Sequence, residues 1–209
     1  PGRGVRARRR RRRLGPCADE VVIWWNGTGD VPDPGGWGLP AEVDVRVIKG
    51  EWRDNFAWAR QQSFEAARGV WRMYLDSDDI LSGGQDDPET QKSIHRAKLA
   101  QNEVTHHATI QAFLRDLPMS CNSFWLPYNY KRDSQGRAVH VLWRCRAVRW
   151  ADGWSWKWAV HEDIVPIGAC QPNQVFNAGC VVVHDPVQAV ETRSLRNISI
   201  LERLYQESG

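Results

Sequence analysis

A predicted helix, an apolar strand and an acidic cluster follow one another directly in the first half of the chain. The helix is predicted over Asp54 to Arg68, because small and aromatic residues recur near one face and Gly69 follows. Val70 to Leu75 is an apolar run of strand length that leads straight into Asp76-Ser77-Asp78-Asp79. A strand that follows a helix in this way indicates an α/β fold, in which ligands bind where the strands end.

The other segments extend this pattern. Strands are predicted at 21–25 and around the alternating valines of 43–47, before the helix. The later predicted elements are a helix over 88–117, strands at 123–130, 139–148 and 175–183, a hairpin turn at 133–136 and a final helix over 187–207. We therefore expect an α/β protein with a mixed, mostly parallel central sheet, flanking helices and a β-rich second half.

Composition limits the classes of protein that the chain can belong to. Its 209 residues suffice for one domain, and no apolar run is long enough to span a membrane as a helix. The net charge of +3 becomes −5 when the eight arginines of residues 1–13 are left out. We expect residues 1–17 to be a disordered, Arg-rich tail and residues 18–209 to be a single domain. The tail could bind RNA, anionic lipid or a protein, but the acidic body argues against a nucleic-acid partner.

Cysteine usage favours a reducing compartment. The five cysteines are scattered, contain no CxxC pair and are odd in number, as expected of reduced core thiols rather than disulfides or a zinc site. We expect a cytoplasmic protein, or one located peripherally at a membrane.

Two motifs contain candidate metal ligands. Asp76 and Asp78 are alternate carboxylates at a predicted strand end, where they could hold a divalent cation that binds a diphosphate. A solvated acidic turn explains the same pattern. His184 ends an apolar strand, where it could be a metal ligand or a histidine held by hydrogen bonds.

A third motif contains candidate catalytic groups. Glu162 or Asp163 could act as a general base, or the His161-Glu162-Asp163 segment could be a surface turn. The tryptophans at 154, 156 and 158 alternate, which would place them on one side of a strand. There they could stack on sugar rings or pack in the core.

Taken together, these segments resemble family 2 glycosyltransferases. The resemblance is carried by the runs DNFAWAR at 54–60, GVWRMYLDSDD at 69–79 and WAVHE at 158–162. Further matching segments lie at 19–23, 27–30, 126–130 and 144–149, at His184 and at 193–197. Each motif is loose, but their order and spacing over about residues 18–207 are specific.

The resemblance implies a GT-A fold and metal-dependent transfer of a sugar from a UDP- or GDP-sugar, with inversion at the anomeric carbon as the family's tendency. The implied acceptor is a glycan, a lipid-linked saccharide or a protein, and the implied cofactor is Mn²⁺ or Mg²⁺. The implied roles are nucleotide-sugar binding by Asp54, Arg60, Asp76 and Trp158, metal binding by Asp76, Asp78 and His184, and catalysis by Glu162 with Asp163 as its substitute.

Two departures from the family pattern support an alternative. The family's usual first strand has no counterpart here, and Trp25 stands where an Asp that contacts the nucleotide is common. The alternative is a non-catalytic, glycan-binding or structural relative of the same fold.

Overall fold

The computed structural model describes residues 18–37, 39–83, 87–100, 102, 104–185 and 190–207. The predicted Arg-rich tail lies outside these residues. The strands are β1 (Glu20–Trp25), β2 (Asp44–Lys49), β3 (Trp71–Met73), β4 (Asp79–Gly83), β5 (Val104–Thr105), β6 (Ser123–Arg132), β7 (Ala138–Arg149), β8 (Trp154–Lys157), β9 (Asp163–Pro166), β10 (Gln174–Asn177) and β11 (Cys180–His184). The helices are α1 (Phe56–Ala66), α2 (Pro88–Leu99), α3 (Ile110–Asp116) and α4 (Val190–Glu207), with 3₁₀ turns at Pro34–Trp37 and Trp150–Asp152.

A seven-stranded mixed sheet forms the centre of the fold. Its main path runs β3-β7-β6-β10-β5, while β11 pairs with β6 on one side and with β4 on the other. Strands β1 and β2 form a separate parallel pair, and β8 and β9 form an antiparallel hairpin. The α/β class and the mixed sheet are confirmed, but the described pairings within this central sheet divide evenly, three parallel and three antiparallel. The sheet is therefore not mostly parallel.

The first predicted helix is confirmed as α1. The side chain of Asn55 accepts a hydrogen bond from Trp58 N at 2.8 Å and caps the helix N-terminus. Ala57 and Phe64 are its buried residues, and they pack against Tyr74, Trp154 and Trp156. This packing holds α1 beside the strand that leads into the acidic turn.

The prediction of one helix over 88–117 is wrong, because the structure has two helices separated by β5. Residues Val104 and Thr105 pair with Phe176 and Asn177 at the sheet edge. Valine and threonine are β-branched and favour strands, so their backbone groups form hydrogen bonds in the sheet instead of in a helix. This tertiary contact interrupts the helical pattern.

The predicted strand over 175–183 is likewise divided, into β10 and β11. Asn177 is fully buried, and its side-chain oxygen accepts hydrogen bonds from His107 N at 2.9 Å and Gly179 N at 3.1 Å. These bonds turn the chain, so β10 pairs with the first half of β6 and β11 pairs with its second half. As a result, β11 ends beside the beginning of β4.

Gly179 is required at this bend because its α-carbon lies against backbone atoms. A Cβ at this position would overlap the backbone carbonyl of His107. We expect Gly179→Ala to lower the free energy of unfolding by about 1–3 kcal/mol, since neither backbone can move without breaking the Asn177 hydrogen bonds. Chemical denaturation measures the effect. Gly29→Ala is the control, because a Cβ on Gly29 meets nothing within 4 Å; equal stability of the two variants would contradict the prediction.

Three groups of buried residues support the functional region. One lies between α3 and strands β6, β10 and β11, and another lies between α1 and the β8–β9 hairpin. A smaller group joins Ala159 and Val160 to Ile200 of α4, with Trp52 and Phe56 beside them. The hairpin loop is therefore held by both the first helix and the last.

Candidate active site

The acidic motif forms a turn between β3 and β4. Asp79 N donates a hydrogen bond to Asp76 O at 2.9 Å, and Asp76 N donates to the Asp79 carboxylate at 3.2 Å. Asp79 is the first residue of β4 and lies opposite His184 in the antiparallel pairing of β4 with β11. The pairing register thus brings a histidine from the end of the chain to the acidic turn.

Asp78, Asp79 and His184 form a cluster whose potential ligand atoms all lie within 4.8 Å of one another. His184 Nδ1 is 3.8 Å from Asp78 Oδ1 and 3.6 Å from Asp79 Oδ1. Of the three residues predicted to bind metal, the structure brings Asp78 and His184 together. The third member of the cluster is Asp79, whereas the side chain of Asp76 forms an ion pair with Arg60.

Aromatic rings enclose the imidazole of His184. The ring of Tyr130 stacks on it with a centroid distance of 5.7 Å and an interplanar angle of 8°. Tyr128 contacts it edge-on at 5.8 Å. Burial raises the pKa of the Tyr128 hydroxyl, so this ring is neutral beside the acidic cluster.

The carboxyl groups of the turn differ in their electrostatic surroundings. Burial raises the pKa of Asp78, and the neighbouring charges of Asp76 and Asp79 raise it further, against the opposing effect of His184. For Asp76, burial also favours the neutral form, but the Arg60 guanidinium outweighs it and lowers the pKa. Asp76 is therefore an ionised carboxylate whose charge is balanced by Arg60, while Asp78 lacks a full counter-charge.

A buried ion pair lies beneath the turn, and sequence reasoning assigned it no role. Arg146 of β7 donates to Asp79 Oδ2 at 3.0 Å, and the side chains are 1% and 0% exposed. The guanidinium carbon lies 4.8 Å from the centre of the Tyr74 ring and 4.3 Å from that of Tyr128. The available signal was an arginine within a strand segment of apolar character, because a buried arginine requires a carboxylate partner.

Glu162 lies in the loop of the β8–β9 hairpin, directly before β9. Arg60 Nε of α1 donates to Glu162 Oε1 at 2.7 Å, and Nη2 forms an ion pair with the same oxygen at 2.7 Å while donating to Asp76 Oδ1 at 2.6 Å. The hairpin loop is anchored because Phe56 N donates to Ala159 O at 2.9 Å. Glu162, Arg60 and Asp76 therefore join the hairpin, α1 and the acidic turn in one charged group.

The structure separates the predicted tryptophan stripe into two environments. Trp154 and Trp156 are each 5% exposed and pack in the core, which is the second of the two alternatives that the sequence left open for them. Trp158 follows the end of β8, has a left-handed backbone (φ +65°) and is 61% exposed. His161, in the same loop, has φ +56°. Left-handed backbone at two non-glycine residues is costly and recurs at functional loops.

The two remaining predicted residues lie apart from this charged group. The carboxylate of Asp54 accepts hydrogen bonds from Trp52 Nε1 at 2.6 Å and from Arg203 of α4, which lowers its pKa. Asp163 is the first residue of β9, and its carboxylate accepts a hydrogen bond from Ile164 N at 3.0 Å. Their described hydrogen bonds and ion pairs reach neither Arg60 nor the Asp78–Asp79–His184 cluster.

The cluster has the chemistry of a divalent-cation site. Two carboxylates and an imidazole are donors that hard and borderline cations accept. Asp79 Oδ1 is buried, takes no hydrogen bond within the described ranges and lies 3.6 Å from His184 Nδ1, so a carboxylate oxygen and an imidazole nitrogen face each other there. The residues present therefore fit a cation at this position.

Fold and site together define an α/β protein with an acidic cluster where strands end and a carboxylate held nearby. Residues 40–142 match the family model of Glycosyl transferase family 2. This match confirms the resemblance to family 2 glycosyltransferases drawn from the sequence, and the family 2 segment over these residues supports a glycosyltransferase activity. No curated protein matches the chain. Among the helices of the described ranges, none combines the length and apolar character needed to cross a bilayer.

The matched segment and the structure supply different parts of the site. The match includes Arg60 and the acidic turn, but it ends before Glu162 and His184. These two residues are joined to the matched segment by the Arg60 ion pair and by the β4–β11 register. The site is thus assembled from both halves of the chain.

Proposed function

We propose that this protein transfers a sugar from a nucleoside-diphosphate sugar to a hydroxyl group of a glycan, lipid-linked or protein acceptor. The observation that carries the proposal is the link between a cation-competent cluster and an anchored carboxylate through Arg60 and Asp76. The cluster provides a binding place for a diphosphate, and the carboxylate provides a base for the acceptor. Together they would support substitution at an anomeric carbon.

The residues divide into a donor side and an acceptor side. Asp78 and His184 would hold Mn²⁺ or Mg²⁺ together with Asp79 or Asp76, and Asp54 would bind the nucleotide end of the donor. The exposed ring of Trp158 would stack on a sugar ring, because an aromatic face and the C–H face of a sugar are both apolar. A bound divalent cation would supply positive charge that stabilises the leaving diphosphate.

Glu162 would act as the base. Its carboxylate takes the proton of the acceptor hydroxyl while the acceptor oxygen forms a bond to the anomeric carbon. The bond from that carbon to the diphosphate breaks, and its electron pair leaves with the diphosphate. Attack opposite to the leaving group inverts the anomeric centre, which agrees with the family's tendency.

Calorimetric titration of UDP and of GDP, with and without Mn²⁺, tests the donor site. We expect Mn²⁺-dependent binding of one nucleotide by the wild type and its loss in Asp78→Ala, because Asp78 is the cluster carboxylate without an arginine partner. The midpoint of thermal unfolding should change little, since Asp78 lies in a turn and is partly exposed. Asp116→Ala is the control, as this exposed carboxylate lies on α3.

Two results would count against this proposal. Unchanged Mn²⁺-dependent binding in Asp78→Ala would remove Asp78 from the cation site. A folded wild type that binds neither nucleotide would favour the non-catalytic, glycan-binding alternative.

A further inference from the structure

The guanidinium of Arg60 is surrounded by carboxylates and aromatic rings of the protein itself. Its Nε donates to Glu162 Oε1, and its Nη2 forms an ion pair with the same oxygen and donates to Asp76 Oδ1. The guanidinium carbon lies 4.7 Å from the centre of the Tyr74 ring and 5.2 Å from that of Trp156. Rings and carboxylates together fix the guanidinium in one position.

Burial would weaken a charge at this position, but the two carboxylates more than compensate. Together, Asp76 and Glu162 raise the pKa of Arg60 above its ordinary value against the effect of burial. Arginine is charged at any physiological pH in either case. The charge of Arg60 matters for its two partners, because the carboxylates of Asp76 and Glu162 would repel each other without the guanidinium between them.

Glu162 depends on this contact for its orientation. The Glu162 side chain is only 14% exposed and is carried by a loop that contains two left-handed residues. Among the described residues, its carboxylate contacts all use Oε1 and all come from Arg60. Oε2 is then the oxygen that points away from the ion pair and can take a proton.

We propose that Arg60 is a positioning residue for the acceptor-side base: it orients Glu162 and couples it to the donor-side turn through Asp76, rather than binding the nucleotide itself. This inference rests on the proposed function, in which Glu162 is the base. A planar guanidinium suits this positioning role because its Nε and Nη2 can both contact one carboxylate while Nη2 also contacts another. Lysine offers only a point charge and cannot reproduce both contacts.

A double-mutant cycle tests the coupling. The activity measured is release of UDP or GDP from UDP-glucose, UDP-N-acetylglucosamine and GDP-mannose in Mn²⁺, with water as the acceptor. The variants are Arg60→Met, Arg60→Lys, Glu162→Gln and the Arg60→Met/Glu162→Gln pair. Calorimetric titration of the nucleotide is the second readout, and Arg46→Met is the control, because Arg46 pairs with Glu20 away from this group.

We expect Arg60→Met to lower kcat by about 100-fold or more, the scale of a lost general base, with the nucleotide Kd within about threefold of wild type. The double variant should be no slower than Glu162→Gln alone, because Arg60 acts through Glu162. Arg60→Lys should fall between Arg60→Met and wild type. Arg46→Met should retain wild-type kcat.

Three outcomes would overturn the inference. A nucleotide Kd weakened tenfold or more in Arg60→Lys would make Arg60 a nucleotide ligand. Additive losses in the double variant would show that Arg60 and Glu162 act independently. If Arg60→Met does not fold, the same cycle with Arg60→Lys decides between coupling and additivity. A wild type that neither binds nor hydrolyses a donor would instead remove the proposed function, and the role of Arg60 with it.

Discussion

Replacing Glu162 with glutamine should lower kcat for sugar transfer or donor hydrolysis by about 10²–10⁴-fold, the range that a positioned general base contributes. Glutamine has the same size and its side-chain oxygen can still accept a hydrogen bond from Arg60, so the loop should keep its position. It cannot take a proton at catalytic pH. The nucleotide Kd should therefore stay near the wild-type value, and steady-state kinetics together with calorimetric titration measure the two quantities.

A matched control and a competing base sharpen this experiment. Glu65→Gln makes the same chemical change on α1, where Glu65 accepts hydrogen bonds from glutamine side chains, and it should leave kcat unchanged. Asp163→Asn tests the substitute base. Loss of activity in Asp163→Asn with an active Glu162→Gln would move the base to Asp163.

Replacing Arg146 with methionine should lower the free energy of unfolding by about 3–5 kcal/mol, because it leaves the carboxylate of Asp79 buried without its partner. The loss arises from Asp79, whose side chain is 0% exposed and whose other oxygen faces His184. Chemical denaturation monitored by tryptophan fluorescence measures the change. We also expect the acidic turn to lose order, since Asp79 accepts the hydrogen bond from Asp76 N.

The buried pair can be compared with an exposed pair in the same protein. Arg137 pairs with Asp133 in the hairpin turn, with 68% of the arginine side chain exposed. Arg137→Met should therefore cost less than about 1 kcal/mol. Adding Asp79→Asn to Arg146→Met should recover part of the loss, because the buried charge is then removed. A loss below 1 kcal/mol in Arg146→Met would show that the pair does not hold the turn.

Several elements could be predicted because their signals are local. The α1 helix, the β6–β7 hairpin and the strand ahead of the acidic turn are encoded by residues a few positions apart. Helix capping by Asn55 and the turn at Asp133 need only neighbouring backbone groups. Asp78 and His184 could be named as metal candidates because Asp78 closely follows one predicted apolar strand and His184 ends another.

The failed predictions share a different origin. The chain leaves helical structure at β5 and bends at Gly179 because Asn177 binds the backbone of a segment about 70 residues earlier. The exposed position of Trp158 depends on where β8 stops pairing with β9. The hydrophobic period and the secondary-structure propensities of a short stretch of sequence carry no information about such distant partners.

The site itself shows the same division. Residue types and their spacing establish an α/β chain with carboxylates and a histidine where strands end, because strand length and turn position are local properties. The β4–β11 register and the packing of α1 against the hairpin decide which carboxylates meet His184, which one pairs with Arg60 and which one is buried with Arg146. Those contacts join residues up to about 100 positions apart, and only the folded chain brings their charges within hydrogen-bonding distance.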